Sequence, residues 1–215
     1  VISILFSNAM SVYYLRKEIT IAFDRSIVSR LFSFGIHYLF VSLVFQLFNV
    51  IDRYLISHYL SLNEVGIYSL GYKISNFTQF FITPFTLAWM PYAYRIQNSE
   101  NSQSIFIQLT KIYILICSIL MSILLLYRKE LIFYFSVEYA ESYNSIGILA
   151  FLNFVMGLTY FFGLGIPFKS KTILYSFIAP VSVLINFIIS FIGVKYMGIE
   201  GISLGSLVGG IFWTG

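Results

Sequence analysis

Apolar residues run along this chain in blocks, and the polar residues sit almost entirely between the blocks. Seven blocks stand out, at about 1–15, 31–57, 63–92, 104–127, 144–168, 172–194 and 199–215. A helix of about 20 residues crosses a hydrocarbon core about 30 Å thick, and five of the seven blocks exceed that length. The punctuation is short and polar: Arg16-Lys17-Glu18 to Asp24-Arg25, Ser61-Leu62-Asn63-Glu64, Gln97 to Gln103, and Lys169-Ser170-Lys171-Thr172. Alternating strand patterns with turn signals are missing, which argues against a β-barrel. The pattern predicts an all-α fold, a polytopic transmembrane helix bundle with about seven hydrophobic segments. The chain opens at Val1 inside an apolar run, so 1–15 reads as the end of a spanning helix that begins earlier. It is a poor signal peptide, because Arg16 and Lys17 follow the apolar stretch instead of preceding it.

Composition sharpens this picture. The 215 residues are 59% hydrophobic and only 10% charged, against about 25% charged in a soluble domain. So little polar material cannot cover a water-facing exterior. The net charge of +4 carries no case for nucleic acid, because the basic residues sit in the loops, where membrane topology places them. Counted by side, Arg16, Lys17, Arg25, Arg30, Arg95, Lys111, Lys169 and Lys171 face Arg128, Lys129 and Lys195, eight against three. The stretch 16–30 is therefore expected in the cytoplasm, and the turns near 60, 130–143 and 195–200 outside.

Two basic residues, Arg53 and Lys73, fall inside apolar blocks. Ser42, Gln46, Asn49 and Arg53 recur at steps of four, three and four, so they line one helix face. Asp52 borders that stripe. In the next block Ser69, Lys73, Asn76 and Thr83 share a face, with Gln79 beside it. A charge at the bilayer centre costs about 2.5–3.5 kcal/mol even on the lenient scale, so such residues face a bundle interior or a watery cavity. Two polar stripes on consecutive helices are expected to line one cavity, with a net positive wall suited to a phosphate or pyrophosphate. The plainer alternative puts Asp52 and Arg53 at the outer interface as a snorkelling or structural pair, and makes Gln46, Asn49 and Asn76 helix–helix glue. Pro84 and Pro91 mark either a hinge or the end of their helix. Gly201, Gly205 and Gly209 form a small-residue packing stripe.

Other signals add no chemistry. Gly165 to Thr172 resembles a phosphate loop but carries Ser170 where a second glycine is needed, after an apolar helix. His37 and His58 lack Cys or carboxylate at ligand spacing, and the single Cys117 reads as an inert helix residue. Asn76-Phe77-Thr78 fits a glycosylation pattern inside an apolar block, out of that enzyme's reach. No catalytic set, metal site or cofactor motif is recognisable, so a non-enzymatic role is expected.

The run Ile51-Asp52-Arg53-Tyr54-Leu55-Ile56, then Leu62-Asn63-Glu64-Val65-Gly66-Ile67-Tyr68-Ser69, Gly71-Tyr72-Lys73-Ile74 and Pro84-Phe85-Thr86-Leu87-Ala88-Trp89-Met90-Pro91 resembles the bacterial polysaccharide flippases. These export O-antigen, capsule and lipopolysaccharide-related repeat units and belong to the multidrug/oligosaccharidyl-lipid/polysaccharide exporter superfamily. Lys169-Ser170-Lys171-Thr172, Asn186 and Gly198-Ile199-Glu200-Gly201-Ile202 are similar to a second, less specific signature. The resemblance implies two lobes around a central cavity, of which 1–30 is a helix end plus the cytoplasmic inter-lobe linker and 31–215 the second-lobe bundle, a six-helix lobe of a MATE-like transporter. It implies alternating-access export of polyprenyl-pyrophosphate-linked oligosaccharide in the bacterial inner membrane, with a coupling cation and polysaccharide assembly proteins as further partners. Arg53 and Lys73 would attract the pyrophosphate. Tyr72, Asn76 and Gln79 would contact sugar, with Asn49 and Gln46 beside them, and Asp52 would bind the coupling ion or hold Arg53. The rivals are a drug/cation antiporter of the same superfamily and a membrane-embedded polysaccharide polymerase or acyltransferase.

Overall fold

The computed structural model describes residues 6, 10, 13–14, 24–135, 139, 142–164 and 173–215. From residue 24 onward they form seven α-helices: α1 Arg25–Tyr59, α2 Leu62–Ser75, α3 Gln79–Ile96, α4 Ser102–Phe135, α5 Tyr143–Phe162, α6 Ile173–Met197 and α7 Ile199–Thr214. A 3₁₀ turn, Asn76–Thr78, joins α2 to α3. No strand occurs among the described residues. The chain divides into two compact units, Val1–Ile36 and His37–Gly215. Most of the block at 1–15, with Arg16, Lys17, Lys169 and Lys171, lies outside the described residues, as does the phosphate-loop-like segment 165–172.

Helices outrun the apolar blocks at both ends. Helix α1 starts at Arg25, where Asp24 Oδ1 accepts from the backbone N–H of Ser26 at 2.7 Å and of Ile27 at 3.4 Å. The Ser26 hydroxyl, together with those two N–H groups, holds the exposed Asp24 carboxyl below its ordinary range. Helix α4 runs through Arg128-Lys129-Glu130 to Phe135. Charged side chains end an apolar run without ending a helix, because they are good helix formers that simply leave the hydrocarbon. Ser61 opens α2 by accepting from Glu64 N–H at 3.2 Å, the first half of a capping box.

The block at 63–92 breaks where no proline stands. Both Pro84 and Pro91 lie inside α3, which continues to Ile96, so neither terminates it. The interruption falls at Asn76–Thr78 instead. There Ser75 Oγ bonds Tyr72 carbonyl at 2.9 Å and Thr78 Oγ1 bonds Ser75 carbonyl at 2.8 Å, giving the backbone local alternatives to the α ladder.

Four helices are long and apolar enough to cross a membrane: Arg25–Tyr59, Ser102–Tyr134, Tyr143–Phe162 and Ile173–Met197. Their outward faces are greasy at helical spacing. Leu39, Leu43, Leu47, Val50 and Tyr54 are exposed on α1, Leu115, Ile119, Ile123 and Leu126 on α4, and Val181, Leu184, Ile188 and Ile192 on α6. Inside lie Asp52, Ser75, Ser182, Asn186, Ser190, Ser203 and Ser206, all buried. A protein in water does the reverse, so the surrounding solvent is lipid. This is a multi-pass membrane protein with an all-α bundle fold.

Close packing of α6 on α7 realises the glycine stripe. A Cβ on Gly193 would lie 2.8 Å from Gly201 Cα, one on Gly205 would lie 2.7 Å from Ser190 N, and one on Gly209 would lie 2.8 Å from Ser182 O. Gly198, at φ 58°, makes the one-residue reversal between the two helices, a conformation that side chains other than glycine's resist. Cys117 is buried with Ile82, Trp89, Ala93, Tyr113, Phe161 and Leu164. His37 Nδ1 meets Ser176 Oγ at 3.0 Å, and His58 stacks on Tyr54 at the end of α1.

Candidate functional site

A carboxylate buried among helices needs donors, and the helices supply three. Asp52, on the inner face of α1, is 4% exposed. Tyr68 Oη of α2 donates to its Oδ2 at 2.7 Å, and Ser206 Oγ of α7 donates to the same oxygen at 2.6 Å. Asn186 Nδ2 of α6 reaches Oδ1 at 3.5 Å and Ser206 Oγ at 2.9 Å. A hydrogen bond to a charged group contributes about 1.5–3 kcal/mol. The two short ones therefore offset part of the cost of burying the carboxylate. Asn186 Oδ1, buried in the same knot, has no hydrogen-bond partner among the described residues.

A second polar knot gathers amides around the 3₁₀ turn. Asn153 of α5 donates from Nδ2 to Ser75 carbonyl at 3.1 Å and to Asn76 Oδ1 at 3.0 Å. Gln79 Nε2 donates to Asn153 Oδ1 at 3.2 Å. One side chain from α5 therefore ties both sides of the break between α2 and α3.

Between the knots lies a cavity of about 410 Å³, within the range of small-ligand sites. Asp52, Tyr68 and Ser206 face it from one knot and Asn76, Gln79 and Asn153 from the other, with Asn49 and Tyr72 beside them. Phe45, Phe48, Leu149, Leu152 and Met156 complete the wall. Five of the residues read from the sequence therefore share one cavity: Asn49, Asp52, Tyr72, Asn76 and Gln79.

Arg53, Lys73 and Gln46 do not line it. Arg53 is half-buried, donates from a guanidinium N–H to Asn49 carbonyl at 2.9 Å, and sits 5.5 Å above the Tyr72 ring. It flanks the cavity because it lies about 100° around the helix from the inward Asp52. Lys73 and Gln46 are exposed on α2 and α1. Lys73 is two residues, about 200° of helix, from each of the buried Gly71 and Ser75. The cavity wall thus carries a carboxylate, in place of the positive lining that the stripes led one to expect. Asp52 is held by hydroxyls and an amide instead of by Arg53.

Tyr68, Asn153, Asn186 and Ser206 are the site residues that the hydrophobic pattern did not single out. Asn153 and Asn186 each interrupt an apolar block as its lone mid-block amide, which was the available signal. Ser206 looks like any small helix residue, and nothing in the sequence links it to Asp52.

Residues 1–97 match the family model described as Polysaccharide biosynthesis protein. The match takes in the block from Ile51 to Pro91 and stops before the second signature. No curated protein and no solved structure matches the chain.

Proposed function

We propose that this chain, which by its residues 1–97 belongs to the polysaccharide biosynthesis protein family, exports polyprenyl-pyrophosphate-linked oligosaccharide repeat units across the bacterial inner membrane by alternating access. The observation that carries this reading is the polar-lined cavity of about 410 Å³ inside a bundle of apolar helices. A glycan headgroup cannot pass through hydrocarbon without partners for its hydroxyls, and a wall of amides, phenols and a serine offers both donors and acceptors. The lipid tail needs no such shelter.

In this reading Asn49, Tyr72, Asn76 and Gln79 contact sugar. Arg53, at the cavity's flank, and Lys73 and Gln46, on exposed helix faces, meet the pyrophosphate end and its approach. Asp52 takes the coupling cation, a role supported by its converging oxygens with Ser206 and the unpartnered Asn186 Oδ1. Transport needs no bond-making step, so the protein acts as a carrier and not as an enzyme. O-antigen, capsule and other lipopolysaccharide-related units are the substrates of this class, and the polysaccharide assembly proteins are its working partners.

The test is genetic and biochemical together. Arg53→Ala and Lys73→Ala in the host should each lower surface polysaccharide about tenfold, the scale of one lost charge-assisted contact, with membrane abundance unchanged. Normal export in both variants removes the cationic contacts from the account. A second reading, export of organic cations, is favoured by one observation: the cavity wall holds Asp52 and no Lys or Arg. A deletion strain that loses ethidium tolerance while keeping its surface polysaccharide would establish that rival.

A further inference from the structure

A second cavity, of about 360 Å³, adjoins the first, and Gln79 and Met156 line both. Four aromatic side chains, Tyr38 of α1, Tyr160 of α5, Tyr175 of α6 and Trp213 of α7, stand in its wall beside aliphatic ones such as Val41, Ile82 and Leu164. The rings form a continuous series. Phe48 lies 5.8 Å from Phe45, Phe45 4.7 Å from Trp213, Trp213 5.4 Å from Tyr175, and Tyr175 6.0 Å from Tyr38. The first two rings line the amide cavity and the last three line its neighbour.

We propose that this aromatic series is a sugar-stacking rail, a binding subsite for successive pyranose rings that extends from Tyr38 past Trp213 to Phe45. The inference rests on the export reading for its biological role, but its chemistry stands on the rings themselves. A pyranose presents a face of C–H groups that packs on the negative face of an aromatic ring, while its edge hydroxyls need polar partners. Gln79 and Thr159 stand in the same wall, and the second N–H of the Gln79 amide and the lone pairs of the Thr159 hydroxyl can serve such edges. A hydrocarbon chain is the other conceivable occupant. Gln79 and Thr159 are bonded to Asn153 and Thr214, so a hydrocarbon chain is separated from a sugar by titration. Stacking reads a feature common to pyranoses, so the rail tolerates different repeat units while the amide cavity discriminates among them.

Trp213 reports on its own site. The chain has two tryptophans, and the other, Trp89, is buried, with its indole N–H donated to Tyr160 carbonyl at 2.9 Å. Purified protein in detergent, titrated with maltotriose, should show a saturable change in tryptophan emission that disappears in Trp213→Phe. Tyr175→Leu should weaken the midpoint about fivefold, the scale of one lost ring face, and Tyr175→Phe less than twofold. The rail is overturned if maltotriose leaves the wild-type emission unchanged, if geranylgeranyl phosphate alone produces the change, or if Tyr175→Phe weakens binding as much as Tyr175→Leu. Failure of the two readings is separable. Maltotriose binding in a protein whose deletion leaves surface polysaccharide intact would sink export and keep the rail. Loss of polysaccharide on deletion, with no maltotriose response, would do the reverse.

Discussion

Asp52 is where the polar interior is most tightly determined. Its carboxylate is the shared acceptor for Tyr68, Asn186 and Ser206, groups from three other helices. Asp52→Ala leaves the Tyr68 and Ser206 hydroxyls buried without their acceptor, at about 1–3 kcal/mol each. The purified variant should therefore melt well below wild type and reach the membrane in smaller amounts. Asp52→Asn keeps the size and one acceptor oxygen. It should retain most of the stability while losing most of the export, as expected if charge at this position serves transport. Equal melting of both variants with wild type, measured by thermal unfolding in detergent, would show that the knot contributes little. The sequence exposed half of this arrangement. An aspartate in an apolar block is conspicuous because burial of a charge is costly, whereas Ser206 and Tyr68 are unremarkable until the fold brings α7 and α2 against α1.

Among the helices, α6 and α7 form the tightest pair, and their spacing is set by glycine. A Cβ at Gly201 would come within 2.6 Å of Gly193 Cα, so Gly201→Ala forces the backbones apart. Overpacking of this kind costs about 1–3 kcal/mol, and the melting temperature should fall accordingly. Gly66 is the control, because a Cβ there meets nothing within 4 Å. Gly66→Ala should leave stability unchanged or raise it by up to about 1 kcal/mol through better helix propensity. This packing was legible in the four-residue spacing of Gly201, Gly205 and Gly209. The break at Asn76–Thr78 was not legible, because hydropathy sees one apolar block from 63 to 92 and the prolines draw attention away from the hydroxyl and amide side chains that produce the turn. Asn153→Leu removes the tie across that break, so hydrogen exchange at residues 76–79 should quicken. Unchanged exchange there would show that the turn stands without Asn153.

For the molecule as a whole, the surface is inverted relative to a protein in water, with apolar stripes outside and serine, asparagine and aspartate within. The charge count also gives an orientation, which thiol labelling can check. The sole native cysteine, Cys117, is buried, so single replacements report cleanly. Asn63→Cys should react with a membrane-impermeant reagent in intact cells, and Ser99→Cys only after permeabilisation. The opposite result would invert the topology that the charge count predicts. The claim on which the functional account turns is that the cavity carries a lipid-linked glycan. Its most direct test is movement of polyprenyl-pyrophosphate-linked oligosaccharide across proteoliposomes containing the purified protein. Wild-type protein should support transfer, and Asp52→Asn should lose it. Transfer no faster than in protein-free vesicles, by protein shown to be folded from its melting transition, would contradict that claim.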